Sequence, residues 1–185
     1  MVTIVRKEAA AQEHTPAVSE DRLLAAMARG ETGALEEFYS RTRTAVYAFA
    51  LSILRHPEDA EDVMQETYIR AFGAAASYRS QGKPMAWLMT IVRNLSLKKL
   101  EERGRTVQPE ELPDPVDHTD FTRLSADRML LQAAMKLLTP EERQILLLHS
   151  TAGLRHRETA ALLDIPLSTA LSKYHRALSK LKKYL

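Results

Sequence analysis

The sequence predicts an all-α fold of two small helical domains joined by an acidic flexible linker. Three observations lead there. Glycine is scarce, at 6 of 185 residues, while Ala and Leu, both strong helix formers, dominate. Apolar residues recur at helical spacing along most of the chain. One stretch breaks that pattern: Thr106 to Thr122 holds five carboxylates and three prolines with no Lys or Arg, a linker composition. The expected boundaries are a polar, unpatterned tail over 1–18, a first domain over 19–103, the linker over 104–124 and a second domain over 125–185.

Each helix has its own local signals. Ser19 before "EDRLLAAMARG" reads as an N-cap with glycine as the stop. Thr32 is placed to cap a longer helix to Leu54, with Leu35, Phe38, Tyr39, Val46, Phe49, Ala50 and Ile53 near helical spacing. His56-Pro57 interrupts it, since the residue before proline avoids helical backbone. "PEDAEDVMQETYIRAF" opens with proline and carboxylates, as suits the positive end of a helix. "SYRSQGK" reads as a loop, and "PMAWLMTIVRNLSLKKLEER" as a further helix that starts at proline and turns basic towards its end. Helical patterning resumes near Ser125. In "LTPEERQILLLHS", Thr139, Pro140 and Glu142 have the spacing of a capping box with proline at the first helical position. "RHRETAALLD" is a short helix, and Asp164-Ile165-Pro166 a turn before the last helix.

Totals bound the function. No cysteine means no disulfide and no thiolate metal site. Met1 to Val18 contains no apolar run of signal-peptide length, and no stretch reaches the roughly 20 apolar residues of a membrane span. A cytoplasmic protein without membrane insertion is expected. His149, His156 and His175 lack the spacing of a metal site, and no nucleophile–base constellation is visible, so neither cofactor nor catalysis is expected. The net charge is only +2, but it is unevenly distributed.

Cations gather in two places. The last segment, Leu167 to Leu185, carries five Lys/Arg and no acid, and Arg155 to Leu185 carries seven against two acids. On a wheel of about 100° per residue, Leu167, Ala170, Leu171, Tyr174, Leu178, Leu181 and Leu185 form an apolar stripe. Thr169, Ser172, Lys173, Arg176, Lys180 and Lys183 face away from it. A short helix with Ala160 at its middle, a tight turn and a basic helix make a helix-turn-helix, whose second helix enters the major groove. Arg155 and Arg157 on the first helix suit phosphates. The second cationic segment, Arg79 to Arg105, has seven Lys/Arg against two acids, with Trp87 within it and Tyr78 beside it. Aromatics beside cations suit unpaired bases; Trp87 also follows the core spacing of Leu88, Ile91, Val92 and Leu95, so Tyr78 is the better candidate for touching a base. Between the first two helices and this segment, Glu58 to Glu66 holds five carboxylates and no cation. Asp62, Gln65 and Glu66 share one helix face and suggest a protein partner.

These motifs, in this order, resemble the bacterial RNA polymerase sigma factors of the extracytoplasmic-function (ECF) type. "DAEDVMQETYIRAF" is similar to region 2.2, "YRSQGKPMAWLMTIVRN" to regions 2.3 and 2.4, and the chain from "LTPEERQILLLHS" to "SKYHRAL" to region 4. The resemblance implies a region 2-like bundle and a region 4-like helix-turn-helix. It implies core RNA polymerase and promoter DNA (duplex at the −35 element, melted at −10) as partners, and an anti-sigma factor as regulator. Asp62, Gln65 and Glu66 would bind the clamp helices of the largest polymerase subunit. Tyr78, Arg79, Lys83, Arg93, Asn94 and Lys98 would handle the −10 element, the loop from Tyr78 to Met85 capturing a flipped base. Arg155, Arg157, Ser168, Thr169, Ser172, Lys173, Arg176 and Lys180 would meet the −35 element, and the linker would thread the RNA-exit region. Asp164 stands near a glycine usual in the family. The first rival reading is a conventional helix-turn-helix regulator with a helical sensing or dimerisation domain, and the second a helical adaptor with no DNA role, its cations merely solubilising.

Overall fold

The computed structural model describes residues 19–79, 82–106 and 135–184, and within them every regular element is helical. The order is α1 (Glu20–Ala28), α2 (Thr32–Leu54), α3 (Pro57–Ala74), a 3-10 turn (Ala75–Ser77), α4 (Pro84–Thr106), α5 (Pro140–Ser150), α6 (His156–Leu163) and α7 (Leu167–Tyr184). The tail over 1–18 and most of the expected linker, with the start of the expected second domain up to residue 134, lie outside the described residues.

Local chemistry explains most helix ends. The capping box at α5 forms as the spacing requires: Thr139 Oγ1 accepts from the Glu142 N–H, and Glu142 Oε2 accepts from the Thr139 N–H at 2.9 Å. One other expectation holds in position only, and another is corrected. Ser19 occupies the N-cap of α1 without a side-chain cap bond, and Thr32 lies inside α2, whose N-cap is Glu31. The fourth helix also runs through Gly104 to Thr106, three residues past its expected end, because one exposed glycine weakens a helix without stopping it. Among the described residues, two that are not glycine take left-handed backbone: Arg55 at φ 53° ends α2, and Asp164 at φ 56° ends α6. Aspartate tolerates that conformation better than most residues, which explains how the turn forms without glycine. The chain then bonds back, Ile165 N–H to Ala160 O at 3.0 Å, as in a Schellman cap.

Helices α1 to α4 enclose one apolar core. Leu24 and Met27 of α1, Phe38, Val46, Phe49 and Ala50 of α2, Ala60, Val63 and Ala71 of α3, and Leu88, Met89 and Val92 of α4 are buried in it. Each large side chain so buried contributes about 1.5–3 kcal/mol. Inside it, Tyr68 Oη and Thr42 Oγ1 lie 2.7 Å apart, and burial lifts the phenol to a pKa of about 12. The second half is a smaller helix-turn-helix. Leu138, Leu146, Ala177 and Leu181 form its own cluster, and Ala160 and Ala170 are buried. Small residues at those points let α6 and α7 approach closely.

The two halves are not held by a tether alone. Leu148, Ala152 and Leu154, from α5 and the turn after it, belong to the same apolar cluster as Phe38 and Phe49. The fifth helix packs on α2, and α6 packs on α4. Sequence patterning foresaw two domains; the structure joins them through a shared core.

Candidate nucleic-acid interface

The first basic surface is built around the start of α4. Pro84 sits at the first helical position, and the Lys83 carbonyl accepts the Trp87 N–H at 3.1 Å, so Lys83 ends the preceding loop at a fixed point. On the other side of that loop, the Tyr78 hydroxyl donates to Asp21 Oδ1 at 2.8 Å. The Tyr78 and Trp87 rings meet at 5.1 Å between centroids, tilted by 53°. Trp87 is half-buried, neither wholly core nor wholly free, and with Tyr78 it forms a single aromatic step. Trp87, Asn94 and Lys98 recur at i, i+7 and i+11, so they share a face of α4. Asn94 and Lys98 are exposed on that face, while Arg93 lies about 100° round the helix from Asn94. Arg79 and Lys83 are exposed at its loop end.

The second basic surface is α7. Ser168, Thr169, Ser172, Lys173, Arg176 and Lys180 fall on one side of the helix, opposite the buried Ala170, Ala177 and Leu181. Ser168, Ser172 and Arg176 are exposed, and the Ser172 hydroxyl donates back to the Thr169 carbonyl at 3.0 Å. Two of the lysines on this face are already engaged by α5. Lys173 pairs with Glu141, and Lys180 Nζ meets Glu142 Oε2 at 2.7 Å. Glu142 is 1% exposed. Burial works against its charge, but the Lys180 ammonium and the Thr139 N–H outweigh burial and hold the carboxyl below its usual range. Lys180 is therefore a strut between α5 and α7 before it is a phosphate ligand. Sequence patterning could not show this, because the partners lie 38 residues apart.

Arg155 and Arg157 stand apart from the α7 face. Both are exposed, and they line an open cleft of about 780 Å³ with Glu158 and Leu162 of α6, facing Tyr78, Arg79, Lys83 and Trp87. The cleft thus brings the loop end of the first basic surface against the first helix of the helix-turn-helix.

The acidic face of α3 is present, with its charge partly answered. Asp62 and Gln65 are exposed and Glu66 is half-buried. Lys99 of α4 donates to Asp62 Oδ2 at 3.0 Å and lies 3.4 Å from Asp59, while Arg103 meets Asp59 at 2.9 Å. The Asp62 hydrogen bond, outweighing partial burial, raises the Lys99 pKa. Glu66 pairs with Arg70 at 2.7 Å. Sequence reading missed Ile69, which is 68% exposed on the same face, three residues after Glu66 and four after Gln65. The signal was available: an isoleucine in register with the polar positions rather than the core ones.

Among the described residues no group of three or more metal-ligating side chains is placed to hold an ion, and no helix is long and apolar enough to cross a membrane.

Comparison with known proteins agrees with this geometry. Residues 38–106 match the family model described as Sigma-70 region 2, and residues 128–181 the one described as Sigma-70, region 4. The ECF RNA polymerase sigma factor SigE of Mycolicibacterium smegmatis is 34% identical over 81% of this chain and 61% of its own length. The RNA polymerase sigma-E factor of Streptomyces avermitilis is 33% identical over 86% of this chain and 89% of its own. Among solved structures, sigma factor RpoE of Bartonella quintana, determined with the anti-sigma factor NepR, superposes with a TM-score of 0.64 at 25% identity, covering 80% of this chain and 96% of that one. The fold also matches CnrH, solved with the cytosolic domain of CnrY, at a TM-score of 0.58 and 22% identity over 89% of this chain and 95% of that one. The chain belongs to the RNA polymerase sigma factors of the extracytoplasmic-function type.

Proposed function

We propose that the protein binds core RNA polymerase through α3, reads a duplex −35 element through α7, and holds a melted −10 element along α4 during transcription initiation. The observation that carries this reading is the separation of surfaces. One acidic, partly apolar face lies on α3, and two cationic faces lie on α4 and α7.

The physics differs at each face. On α3, Asp62, Gln65 and Glu66 flank Ile69, an apolar centre with a polar rim, which suits a protein partner. At the start of α4, Trp87 and, across the loop, Tyr78 offer ring surface for an unstacked base, worth about 1–3 kcal/mol per base, beside Arg79 and Lys83 for its phosphates. Asn94 offers an amide that both donates and accepts, and Lys98 extends the charge along the strand, with Arg93 off to the side of that face. Unstacking a base costs a few kcal/mol, and these contacts offset it. On α7, Ser168, Thr169 and Ser172 lie at the N-terminal end, where a recognition helix meets base edges, and Arg176 lies beyond them towards phosphate. Lys173, held by Glu141, must exchange that partner for DNA. Arg155 and Arg157 serve phosphates once the cleft is open.

The protein performs no chemistry of its own in this scheme; polymerase supplies the catalytic site. It acts in the cytoplasm, where polymerase is. The 28 residues over 107–134, between the two described parts, could reach at most roughly 100 Å if extended, enough for two recognition surfaces about two duplex turns apart, each turn being roughly 34–36 Å. Their acidity suits a path through a nucleic-acid channel. Similarity to a sigma factor solved with an anti-sigma factor supports a regulator of that kind.

Capture of core polymerase on the immobilised protein tests the α3 assignment. Asp62→Lys with Glu66→Lys is expected to abolish capture while the far-ultraviolet circular dichroism stays native, and Ile69→Glu to weaken it at least tenfold. Capture at wild-type strength by the double variant would remove α3 from the reading.

A further inference from the structure

The helix-turn-helix contains a cluster of aromatic and titratable rings that neither DNA nor polymerase contact accounts for. His149 at the end of α5 and His156 at the start of α6 stack at 4.0 Å between centroids, only 17° from parallel. Tyr174, at the middle of α7, stands edge-on to both, 4.8 Å from His149 and 4.6 Å from His156. His175, the next residue, lies 5.8 Å from Tyr174. One small cluster therefore joins all three helices that set the pose of α7.

The hydrogen bonding of the stack favours a neutral His156. His149 Nδ1 lies 2.8 Å from the Leu154 carbonyl, an acceptor, so that nitrogen carries a proton. His156 Nδ1 is buried without a hydrogen-bond partner. A proton added there would create a buried N–H with nothing to receive it. The residue also occupies the first position of α6, where the helix dipole is positive and a cation is unfavourable.

The surroundings offer the added charge no relief. From α5 the ring faces His149, and from α7 it faces Tyr174 and the neighbouring His175. On α6 its neighbours in sequence are Arg155, Arg157 and Glu158, and Glu158 is occupied by the Arg155 N–H at 2.9 Å. Across the cleft, α4 and its loop present Arg79 and Lys83 beside those arginines.

We propose that the His149–His156 stack, closed by Tyr174, is a proton-sensitive joint of the helix-turn-helix: it packs while His156 is neutral and loosens when His156 is protonated. Its consequence for promoter reading rests on the assignment of α7 to DNA, but the joint can be tested without DNA. Burial first, and then the charges of His149 and His175, lower the His156 pKa from its ordinary value of about 6.5. The sign follows. Above about pH 6.5 the ring is neutral in the folded and unfolded chain alike, and the joint is intact. As pH falls below that value, the unfolded chain takes up a proton that the folded helix-turn-helix resists, so the unfolding equilibrium shifts by up to about tenfold per pH unit. A histidine merely adding charge to a DNA-binding surface would show no such penalty on packing.

The experiment is a histidine-ring NMR titration of the full chain from pH 8 to 5, with thermal unfolding of α6 and α7 followed by their own amide signals. His156 is expected to titrate below the ordinary histidine value of about 6.5. The α6 and α7 signals should melt at progressively lower temperature below pH 6.5. His156→Phe, which keeps a ring and removes the proton site, should flatten that dependence, and His175→Gln should leave it in place. A His156 midpoint at or above 6.5, or a pH dependence unchanged by His156→Phe, overturns the joint. Should the phenylalanine variant not fold, the wild-type midpoint alone decides. Failure here leaves the DNA assignment of α7 untouched, because no DNA is in the sample.

Discussion

Glu142 shows how much one side chain can do in this fold. Its carboxylate closes the capping box of α5 and receives Lys180 from α7 while almost fully buried. Removing one partner of such a pair leaves the other buried without compensation, commonly 3–5 kcal/mol. Because Lys180 can swing towards water, Glu142→Ala should destabilise the helix-turn-helix by about 3 kcal/mol, read by denaturant unfolding. Since the folded carboxyl is held below its usual range, the stabilisation is full above about pH 4.3 and is lost as pH falls through the lower folded value. An acid titration of stability in wild type and Glu142→Ala should therefore converge at low pH. At this scale the sequence was half legible. Thr139, Pro140 and Glu142 announced the capping box because its partners are three residues apart. The Lys180 contact, and those of Lys99 with Asp59 and Asp62, were not legible, since nothing local specifies which distant helices will meet.

At the scale of the helix, α7 carries the clearest pattern and a hidden complication. Leucine and alanine on one side and cations with hydroxyls on the other were evident from spacing, and burial of Ala170 and Leu181 follows that wheel, but Ala177, left out of the stripe, is buried, and Leu167, placed in it at the first turn, is 39% exposed. The complication is Glu141, which pairs with Lys173 from the start of α5. Exposed pairs are weak, typically under about 1 kcal/mol, so the lysine can be released to phosphate. Glu141→Gln is expected to strengthen binding of the full chain to a generic 20-base-pair duplex several-fold. It should also steepen the dependence of affinity on salt by up to about 0.9 in log–log slope, one phosphate contact's worth. An unchanged slope would mean that Lys173 does not reach DNA. The third helix shows the opposite balance: five carboxylates from Glu58 to Glu66 looked unopposed in sequence, yet α4 supplies Lys99 and Arg103 to them. Ile69 is what remains distinctive about that face.

At the scale of the molecule, the shared core matters most. Leu148, Ala152 and Leu154 join the apolar cluster of the first half, and the cleft sets Arg155 and Arg157 opposite Tyr78, Arg79 and Lys83. Four cations around one cleft repel each other, so apolar contact holds the halves together against charge. Reading two boxes about two turns apart requires the halves to separate. Fluorescent labels on Lys83→Cys and Arg157→Cys, in a chain with no other cysteine, should show high energy transfer in the free protein and a marked fall on adding core polymerase. High transfer in the complex would mean that the halves stay closed. Composition and spacing revealed the order of the two halves, because each has its own amphipathic helices. They could not reveal the packing between halves, since Leu148 and Leu154 look like ordinary core positions of their own unit.

The most direct test of initiation is transcription from the organism's own genomic DNA by core polymerase, with and without this protein, followed by mapping of the 5′ ends. New start sites should appear only when the protein is present, each preceded by the same two short boxes about two helical turns apart, and Asp62→Lys with Glu66→Lys should remove them. Start sites identical to those of core polymerase alone would contradict the account.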